Sequence, residues 1–331
     1  MRGNPREYLE ILPSDSHMNF LRFASIPLLL LTSGVQAVGV SPGQIKNFVT
    51  FGDSYTDIVS VGDGGTAWPV YASGYANVSL FPFAKSGATC SNNLTDRPFP
   101  SVFESQLPTY FQETSDGSLK LSAEETIYTL WIGTNDLGES ALLTGDDAAS
   151  LVDVTTCMVN WVKVLYDSGA RNFIFQNMIP LQHTILYSST GYYTKFWTFP
   201  RNATSWSVSM TELTLSGNDL TQLKLQALLP QIPGAHIAHF DSHSLFQDML
   251  SNPSAYLNGT APLNVTGCIN SCVFQVNEPD SGVCTLVNGT DRDSYLWYDE
   301  LHPSEQADRI VAREMALVME GKTSKWATWL S

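Results

Sequence analysis

The sequence predicts an α/β fold in which a largely parallel sheet is covered by helices on both faces. Strand-like and helix-like segments alternate along the chain, and no repeat or low-complexity linker divides them. Small polar residues also follow two of the strands, Ser54 after "NFVTF" and Asn135 after "TIYTLWIG". Ligands of such sheets gather beyond the carboxyl ends of the strands. With 331 residues, 43% of them hydrophobic, the chain can form a sizeable core.

The individual elements follow from apolar spacing. The predicted strands are residues 47–51, 126–136, 171–180 and 235–241. The predicted helices are residues 149–169, 213–232, 244–250 and 303–320. Pro303 suits the first position of the last helix, and we expect the chain to become helical directly after Ser54.

The first 37 residues predict an N-terminal extension followed by a secretory signal. From Met18, "MNFLRFASIPLLLLTSGVQA" has one basic residue, an apolar run too short to span a bilayer, and small residues before a cleavage point after Ala37. We therefore expect translation to start at Met18, and residues 38–331 to form a single domain. The alternative is a genuine extension of 17 residues ahead of a buried helix.

The net charge and the glycosylation sequons indicate which partners the protein can bind and whether it is exported. The net charge of −15 disfavours binding to nucleic acid or to anionic membranes and suits a neutral substrate. Six glycosylation sequons predict an exported glycoprotein: Asn77, Asn93, Asn202, Asn258, Asn264 and Asn288.

The five cysteines predict disulfides as well. Cys268, Cys272 and Cys284 lie close together in loop-like sequence, which predicts a local disulfide, although part of a zinc site is an alternative reading. The pairing of these three with Cys90 and Cys157 stays open. Cys157, in an apolar helical pattern, is the residue we expect to remain a buried free thiol.

Ser54 and His302 are the candidate nucleophile and base. A serine hydroxyl attacks an ester only if a neighbouring base takes its proton, and that base needs an orienting group. His302 follows Asp299 by three residues in "WYDELHPSEQ", so the carboxylate can fix one ring nitrogen while the other faces the hydroxyl. The alternative is that Asp299 caps the last helix and His302 is a surface residue. His236, His239 and His243 could be mistaken for a metal cluster, but we interpret them as structural and expect no metal or organic cofactor.

The oxyanion of such a reaction needs hydrogen-bond donors. "KSGATCSN" supplies the backbone N–H of Gly87, and "GTND" supplies the side-chain amide of Asn135. With the N–H of Ser54 itself, these would form the oxyanion hole. Each glycine or asparagine alone is also compatible with a plain turn.

Taken together, "FGDSYTD", "WIGTNDLG", "GARNFIF" and "DELHP" resemble the SGNH or GDSL hydrolase superfamily over about residues 45–320. They are most similar to fungal secreted acetylesterases of carbohydrate esterase family sixteen. The resemblance implies a three-layer α/β/α sandwich of flavodoxin-like type, with Ser54, Gly87, Asn135 and His302 as the name-giving residues. It also implies release of acetate from acetylated sugars such as xylo-oligosaccharides. The Gly-x-Ser-x-Gly elbow of the α/β-hydrolase family does not occur.

The substrate is less readable than the chemistry. Trp68, Trp297 and Tyr298 are candidate substrate-binding residues because flat aromatic faces suit sugar rings, although core packing is a rival explanation. The aromatic-rich residues 192–206 are expected to cover the cleft. Two other functions remain open: a GDSL lipase or phospholipase acting on longer acyl esters, and a non-catalytic carbohydrate-binding module. We expect a monomer.

Overall fold

The computed structural model describes residues 39–331, so the predicted extension and signal peptide lie outside the described residues. The main sheet contains six strands: β1 (Asn47–Gly52), β2 (Ser79–Pro82), β3 (Thr126–Trp131), β4 (Asn172–Gln176), β5 (His236–Phe240) and β10 (Ala327–Trp329). Four shorter strands form two small sheets: β6 (Asn264–Cys268) with β9 (Tyr295–Trp297), and β7 (Asn270–Gln275) with β8 (Glu278–Leu286). The helices are α1 (Trp68–Ala76), α2 (Leu107–Ser115), α3 (Thr134–Leu137), α4 (Leu151–Asp167), α5 (Ala203–Leu228), α6 (Ser242–Ser251) and α7 (Glu305–Met319).

The main sheet is parallel except at one edge, as the sequence predicts. Its strand order is β10-β5-β4-β3-β1-β2, and β10 alone among these strands runs antiparallel, beside β5. Because β1 and β3 pair in parallel with Gly52 opposite Trp131, the segments after both strands leave the sheet at the same edge. This edge carries Ser54 and Asn135.

Aromatic side chains define the layers on the two faces of the sheet. Trp131 of β3 contacts Trp68 of α1 and Phe246 of α6 on one face. Phe51 of β1 contacts Trp161 of α4 and Tyr110 of α2 on the other face. Helix α7 packs beside α1, and α5 packs beside α4. The predicted α/β fold with helices on both faces of the sheet is therefore confirmed.

The segment after Ser54 is not helical, contrary to prediction. The Asp53 carboxylate accepts the N–H of Tyr55, and the Asp57 carboxylate accepts the N–H of Val59, so turns continue until α1 begins at Trp68. Aspartate side chains favour such turns because they compete with helical hydrogen bonds.

Several other predicted boundaries also move. The strand predicted over residues 171–180 ends at Gln176, and the helix predicted over residues 213–232 begins ten residues earlier, at Ala203, and ends at Leu228. The strand predicted to reach residue 136 ends at Trp131, since Gly133 adopts a φ of +122° and α3 follows. The last helix begins at Glu305 because Ser304 accepts the N–H of Ala307 as its N-cap. Pro303 precedes that cap and is not the first helical residue.

Two disulfides are present, and one of them corrects a prediction. Cys272 pairs with Cys284 across the β7–β8 hairpin, which is the local disulfide that the spacing predicts. Cys157 of α4 is not free: it pairs with Cys90, 67 positions away. The buried free thiol is Cys268 instead. Sequence spacing carries no signal for the contact between Cys90 and Cys157, because it arises only when α4 packs on the sheet.

The sequons mostly lie on the surface. Asn77, Asn93, Asn202, Asn258 and Asn288 are exposed, and Asn264 is half-buried at the start of β6. Within residues 39–331, no helix has the combined length and apolar character that crossing a bilayer requires.

Candidate active site

Ser54 lies just past the end of β1, in a turn that only glycine at position 52 permits. Gly52 has a φ of +150°, and a Cβ there would lie 2.3 Å from the carbonyl oxygen of Trp131 on the neighbouring strand. The side chain of Gln106 holds the turn, accepting the N–H of Gly52 at 3.1 Å and donating to its carbonyl at 2.8 Å. These contacts present the partly exposed Ser54 hydroxyl at the sheet edge.

The structure brings Ser54, His302 and Asp299 into one hydrogen-bonded line. Nε2 of His302 lies 2.8 Å from Oγ of Ser54, although the two residues are 248 positions apart. Nδ1 of the same ring lies 2.9 Å from Oδ1 of Asp299. This is the geometry of a nucleophile, a base and an orienting carboxylate. His302 is 8% exposed and Asp299 accepts from its ring, so the reading of a surface histidine behind a helix cap is wrong.

Local hydrogen bonds fix the segment that carries the base. Oδ1 of Asp299 also accepts the N–H groups of Leu301 and His302, each at 2.9 Å. The hydroxyl of Tyr55, next to the nucleophile, donates to the carbonyl of Leu301 at 2.9 Å. The nucleophile turn and the base segment are therefore tied directly to each other.

The carboxylate of Asp299 is held in its ionised form. Burial alone would raise its pKa, but the charges and hydrogen bonds of His302 and Lys195 outweigh burial and hold the pKa of Asp299 well below its usual range. An ionised Asp299 can accept from Nδ1 of His302 and stabilise the imidazolium that forms when the ring takes a proton.

Asn135 and the loop containing Gly87 lie together beside the nucleophile turn. The Asn135 amide donates one hydrogen to the carbonyl of Ala88 at 2.8 Å, so its second N–H remains for a ligand. Gly87 has a φ of +78°, and the ring of Phe99 packs against its Cα. The N–H of Lys85 donates to the carbonyl of Gly52 at 3.1 Å, which joins this loop to the turn before Ser54.

Two of the three predicted substrate-binding aromatics are in the core instead. Trp68 and Trp297 are fully buried, Trp68 against Phe48 and Trp297 against Phe246. Neither side chain can contact a substrate in this structure, so that prediction is wrong. Each aromatic ring is needed to fill the space between the sheet and its helices, and the sequence does not distinguish this use from sugar binding. Tyr298 is half-buried against Gly64, and its predicted role stays a prediction.

Three residues that sequence reasoning missed contact the His302–Asp299 pair. Phe196 packs against the imidazole with 5.8 Å between ring centroids, and the ammonium of Lys195 lies 2.8 Å from Oδ2 of Asp299. Both belong to the aromatic-rich residues 192–206, so the only sequence signal was the expectation that this segment covers the cleft. The third residue is Gly62, where a Cβ would lie 2.4 Å from Cδ2 of His302.

Asp53 is a buried carboxylate beside the nucleophile. Its Oδ1 accepts the N–H of Tyr55, while its Oδ2 has no hydrogen-bond partner among the described residues. Burial raises the pKa of Asp53 to about 7, although the N–H of Tyr55 and the charge of His302 pull the other way.

Comparison with known proteins identifies the family of the chain. Residues 48–315 match the GDSL-like lipase/acylhydrolase family. An acetylesterase of Hypocrea jecorina is 33% identical over 330 residues, covering 86% of this chain and 91% of that protein. An acetylesterase of Thermothelomyces thermophilus is 23% identical and covers 83% of this chain and 89% of that protein. An acetylxylan esterase structure from Geobacillus stearothermophilus aligns with a TM-score of 0.39 at 15% identity, covering 87% of this chain and 98% of that one.

The chain thus belongs to the GDSL family of hydrolases. It is a carboxylic ester hydrolase.

Replacing Gly62 by Ala tests how tightly the imidazole is placed. The new methyl group would lie 2.4 Å from the His302 ring and would displace it from Ser54. A misplacement of about 1 Å costs roughly 100-fold in rate, so we expect kcat/KM for p-nitrophenyl acetate to fall about 100-fold in Gly62→Ala. The matched control is Gly74→Ala in α1, where a Cβ meets nothing within 4 Å. Wild-type activity in folded Gly62→Ala would contradict this placement.

Asp53 predicts a pH-dependent difference in stability between the wild type and Asp53→Asn. Because burial raises its folded pKa from 3.8 to about 7, folded Asp53 keeps a proton that the unfolded chain has lost, so its contribution falls as pH rises through this window. Asparagine does not titrate, so its contribution to stability does not change over this pH range. From pH 4.5 to 7.5, the free energy of unfolding of Asp53→Asn should therefore rise relative to wild type by about 3 kcal/mol.

Urea titrations of both proteins across this range measure that difference. Effects of other groups, such as the buried His239 and the half-buried His243, cancel because both proteins contain them. Parallel pH profiles would show that Asp53 is ionised throughout.

Proposed function

We propose that this enzyme removes acetyl groups from acetylated carbohydrates, such as xylo-oligosaccharides, through an acyl-enzyme on Ser54. The observation that carries the mechanism is the line from Oγ of Ser54 through His302 to Asp299, with contacts of 2.8 and 2.9 Å. The acetyl preference is supported by similarity to the Hypocrea jecorina acetylesterase at 33% identity over most of both chains.

The proposed reaction has two steps. His302 accepts the proton of Ser54 as Oγ attacks the ester carbonyl, and the imidazolium then protonates the leaving alcohol. A water molecule, deprotonated by His302, then attacks the acetyl-Ser54 carbonyl. The bond to Oγ breaks, the imidazolium returns the proton to Oγ of Ser54, and acetate is released. The N–H groups of Ser54 and Gly87 and the free amide hydrogen of Asn135 are the proposed oxyanion donors.

The alcohol part of the substrate should lie on the His302 side of the nucleophile. Its oxygen must come within hydrogen-bond reach of Nε2 of His302 to be protonated. Phe196 packs against His302 and is half-buried, with the Lys195 ammonium 4.8 Å from its ring centroid. The leaving alcohol would therefore lie beside residues 195 and 196 as well as His302.

Acetate release from acetylated xylo-oligosaccharides by wild type and Ser54→Ala tests the proposal. The wild type should release acetate, and Ser54→Ala should be slower by about 1000-fold or more because the nucleophile is gone. Ser115→Ala is the control, since that exposed hydroxyl bonds only to the Gln112 carbonyl at the end of α2.

Each alternative function predicts a different result. A strong preference for p-nitrophenyl octanoate over the acetate ester would favour a lipase or phospholipase. Sugar binding by Ser54→Ala together with no acetate release by the wild type would favour a carbohydrate-binding module. Acetate release by Ser54→Ala at the wild-type rate would reject Ser54 as the nucleophile.

We further propose that the protein is secreted as a monomeric glycoprotein that binds neither nucleic acid nor membranes stably. Two disulfides suit an oxidising compartment, and five of the six sequons are exposed. The net charge of −15 disfavours association with polyanions.

Expression in a secreting eukaryotic host tests this localisation. We expect the protein in the medium with Val38 at its N-terminus, a lower mass after N-glycosidase treatment, and a monomeric mass by light scattering. Protein that stays in the cells with residues 18–37 intact and no glycan would contradict secretion.

A further inference from the structure

Lys195 supplies a charged contact to the carboxylate that orients His302, from outside the motifs that identify the family. Its ammonium lies 2.8 Å from Oδ2 of Asp299. The Lys195 side chain is 44% exposed, whereas that of Asp299 is 3% exposed. A cation at the solvent edge therefore reaches a carboxylate that solvent hardly touches.

The two oxygens of Asp299 have different partners. Oδ1 accepts from the His302 ring and from the backbone N–H groups of Leu301 and His302. Oδ2 accepts from Lys195. Without the ammonium, the described residues would leave Oδ2 as a buried anionic acceptor without a donor, which is costly and favours rotation of the carboxylate away from His302.

We propose that Lys195 is a positioning residue that keeps the Asp299 carboxylate facing His302, so that the imidazole stays aligned with Ser54. Lys195 does not touch the reacting atoms and acts through Asp299. The inference rests on the proposed roles of Ser54, His302 and Asp299.

The segment that carries Lys195 is held in place. We call residues 192–198 the strap. The strap closes on itself where Thr194 and Trp197 exchange two backbone hydrogen bonds, which places Lys195 in the tight turn between them. At its two ends, the carbonyls of Tyr193 and Thr198 accept the N–H groups of Phe274 and Asn277. These contacts fasten the strap to the β7–β8 hairpin, which the Cys272–Cys284 disulfide cross-links.

The same network also reaches the residue after Asp299. The hydroxyl of Tyr192 in the strap donates to Oε1 of Glu300 at 3.0 Å, and the N–H of Cys272 donates to the same oxygen. Glu300 is fully buried. The backbone segments that carry Lys195 and Asp299 are therefore joined through one connected set of hydrogen bonds.

The charges around His302 give this proposal a specific pH signature. The titratable groups that bear on the ring or on Asp299 are Asp53 beside the nucleophile, Asp299 itself, Glu300, the Cys268 thiol, the Tyr55 hydroxyl and Lys195. Lys195 is the cation of this set. Removing its charge leaves the negative charge of Asp299 beside the ring without a compensating cation, which favours the protonated imidazole that cannot act as a base. The acid limb of the kcat/KM profile should then move to higher pH.

Three variants separate positioning from a general structural effect. Lys195→Met keeps the aliphatic stem and removes the charge, and Lys195→Arg keeps the charge. Lys325→Met is the matched control. It removes another exposed lysine, whose ammonium pairs with Asp248 of α6 at 3.0 Å and does not contact Asp299. The measurements are kcat and KM for p-nitrophenyl acetate from pH 4 to 9, with a melting temperature for each protein.

Lys195→Met should lose about 10- to 100-fold in kcat on the pH plateau, the range expected when a hydrogen bond to a charged group is removed. Its KM should change little, and its acid limb should move to higher pH. Lys195→Arg should stay within about threefold of wild type and Lys325→Met should match it.

The proposal is overturned if folded Lys195→Met keeps wild-type kcat and pH profile, or if Lys195→Arg loses as much as Lys195→Met. If Lys195→Met is too unstable to assay, Lys195→Gln replaces it and is compared with Lys195→Arg by the same criteria. Ser54→Ala in the same assay distinguishes failure of the proposed function from failure of the proposed role of Lys195. If Ser54→Ala is active, the proposed function fails, whereas an inactive Ser54→Ala beside an unaffected Lys195→Met rejects only the role of Lys195.

Discussion

The parallel pairing of β1 with β3 is the constraint on which the rest of the site depends. The pairing sets Gly52 opposite Trp131, and the two backbones approach so closely that no side chain fits at position 52. Both strands end at this pair of residues, so the chain turns away from the sheet at the same level of β1 and β3. Ser54 and Asn135 follow these turns by a few residues and therefore emerge side by side, with no need for a long loop to carry either of them.

Buried polar groups then fix the other segments to this edge. Asp136, next to Asn135, accepts the N–H of Cys90 with both carboxylate oxygens at 3.1 Å and the hydroxyl of Thr95 at 2.8 Å. Asp57, after the nucleophile, accepts the N–H of Ser86 at 2.8 Å. Burial of these carboxylates costs desolvation free energy, which is reflected in the raised pKa of Asp136. In return, each hydrogen bond fixes the position of the loop over residues 85–95 beside the nucleophile.

Residues whose role depends on a short motif could be predicted from the sequence, whereas residues whose role depends on packing could not. Ser54, Asn135, Asp299 and His302 each follow a local pattern. The alternation of strands and helices placed Ser54 and Asn135 at one edge, whereas Asp299 and His302 follow β9 of a small separate sheet and were assigned from their spacing. Trp68 and Trp297 were misread because an aromatic ring beside a motif can fill the core equally well. Cys157 and Lys195 find their partners, Cys90 and Asp299, only through tertiary contacts across 67 and 104 positions. The turns after Ser54 were missed because Asp53 and Asp57 each accept the N–H two residues ahead, and apolar spacing carries no signal for such contacts.

The Cys90–Cys157 disulfide closes a covalent loop that contains one part of the site and leaves Ser54, Asp299 and His302 outside it. The ring that it closes contains β3, α3 and Asn135, and Cys90 lies three residues after Gly87. The half that would bear the negative charge is therefore partly enclosed in a covalent loop. Asp299 and His302 arrive from the far end of the chain and are joined to this loop by noncovalent contacts alone. Unfolding of the segment around Asp299 and His302 would consequently separate the base from the nucleophile while the loop stays covalently closed, and trimming from the C-terminus would remove β10 and α7 before it reached His302.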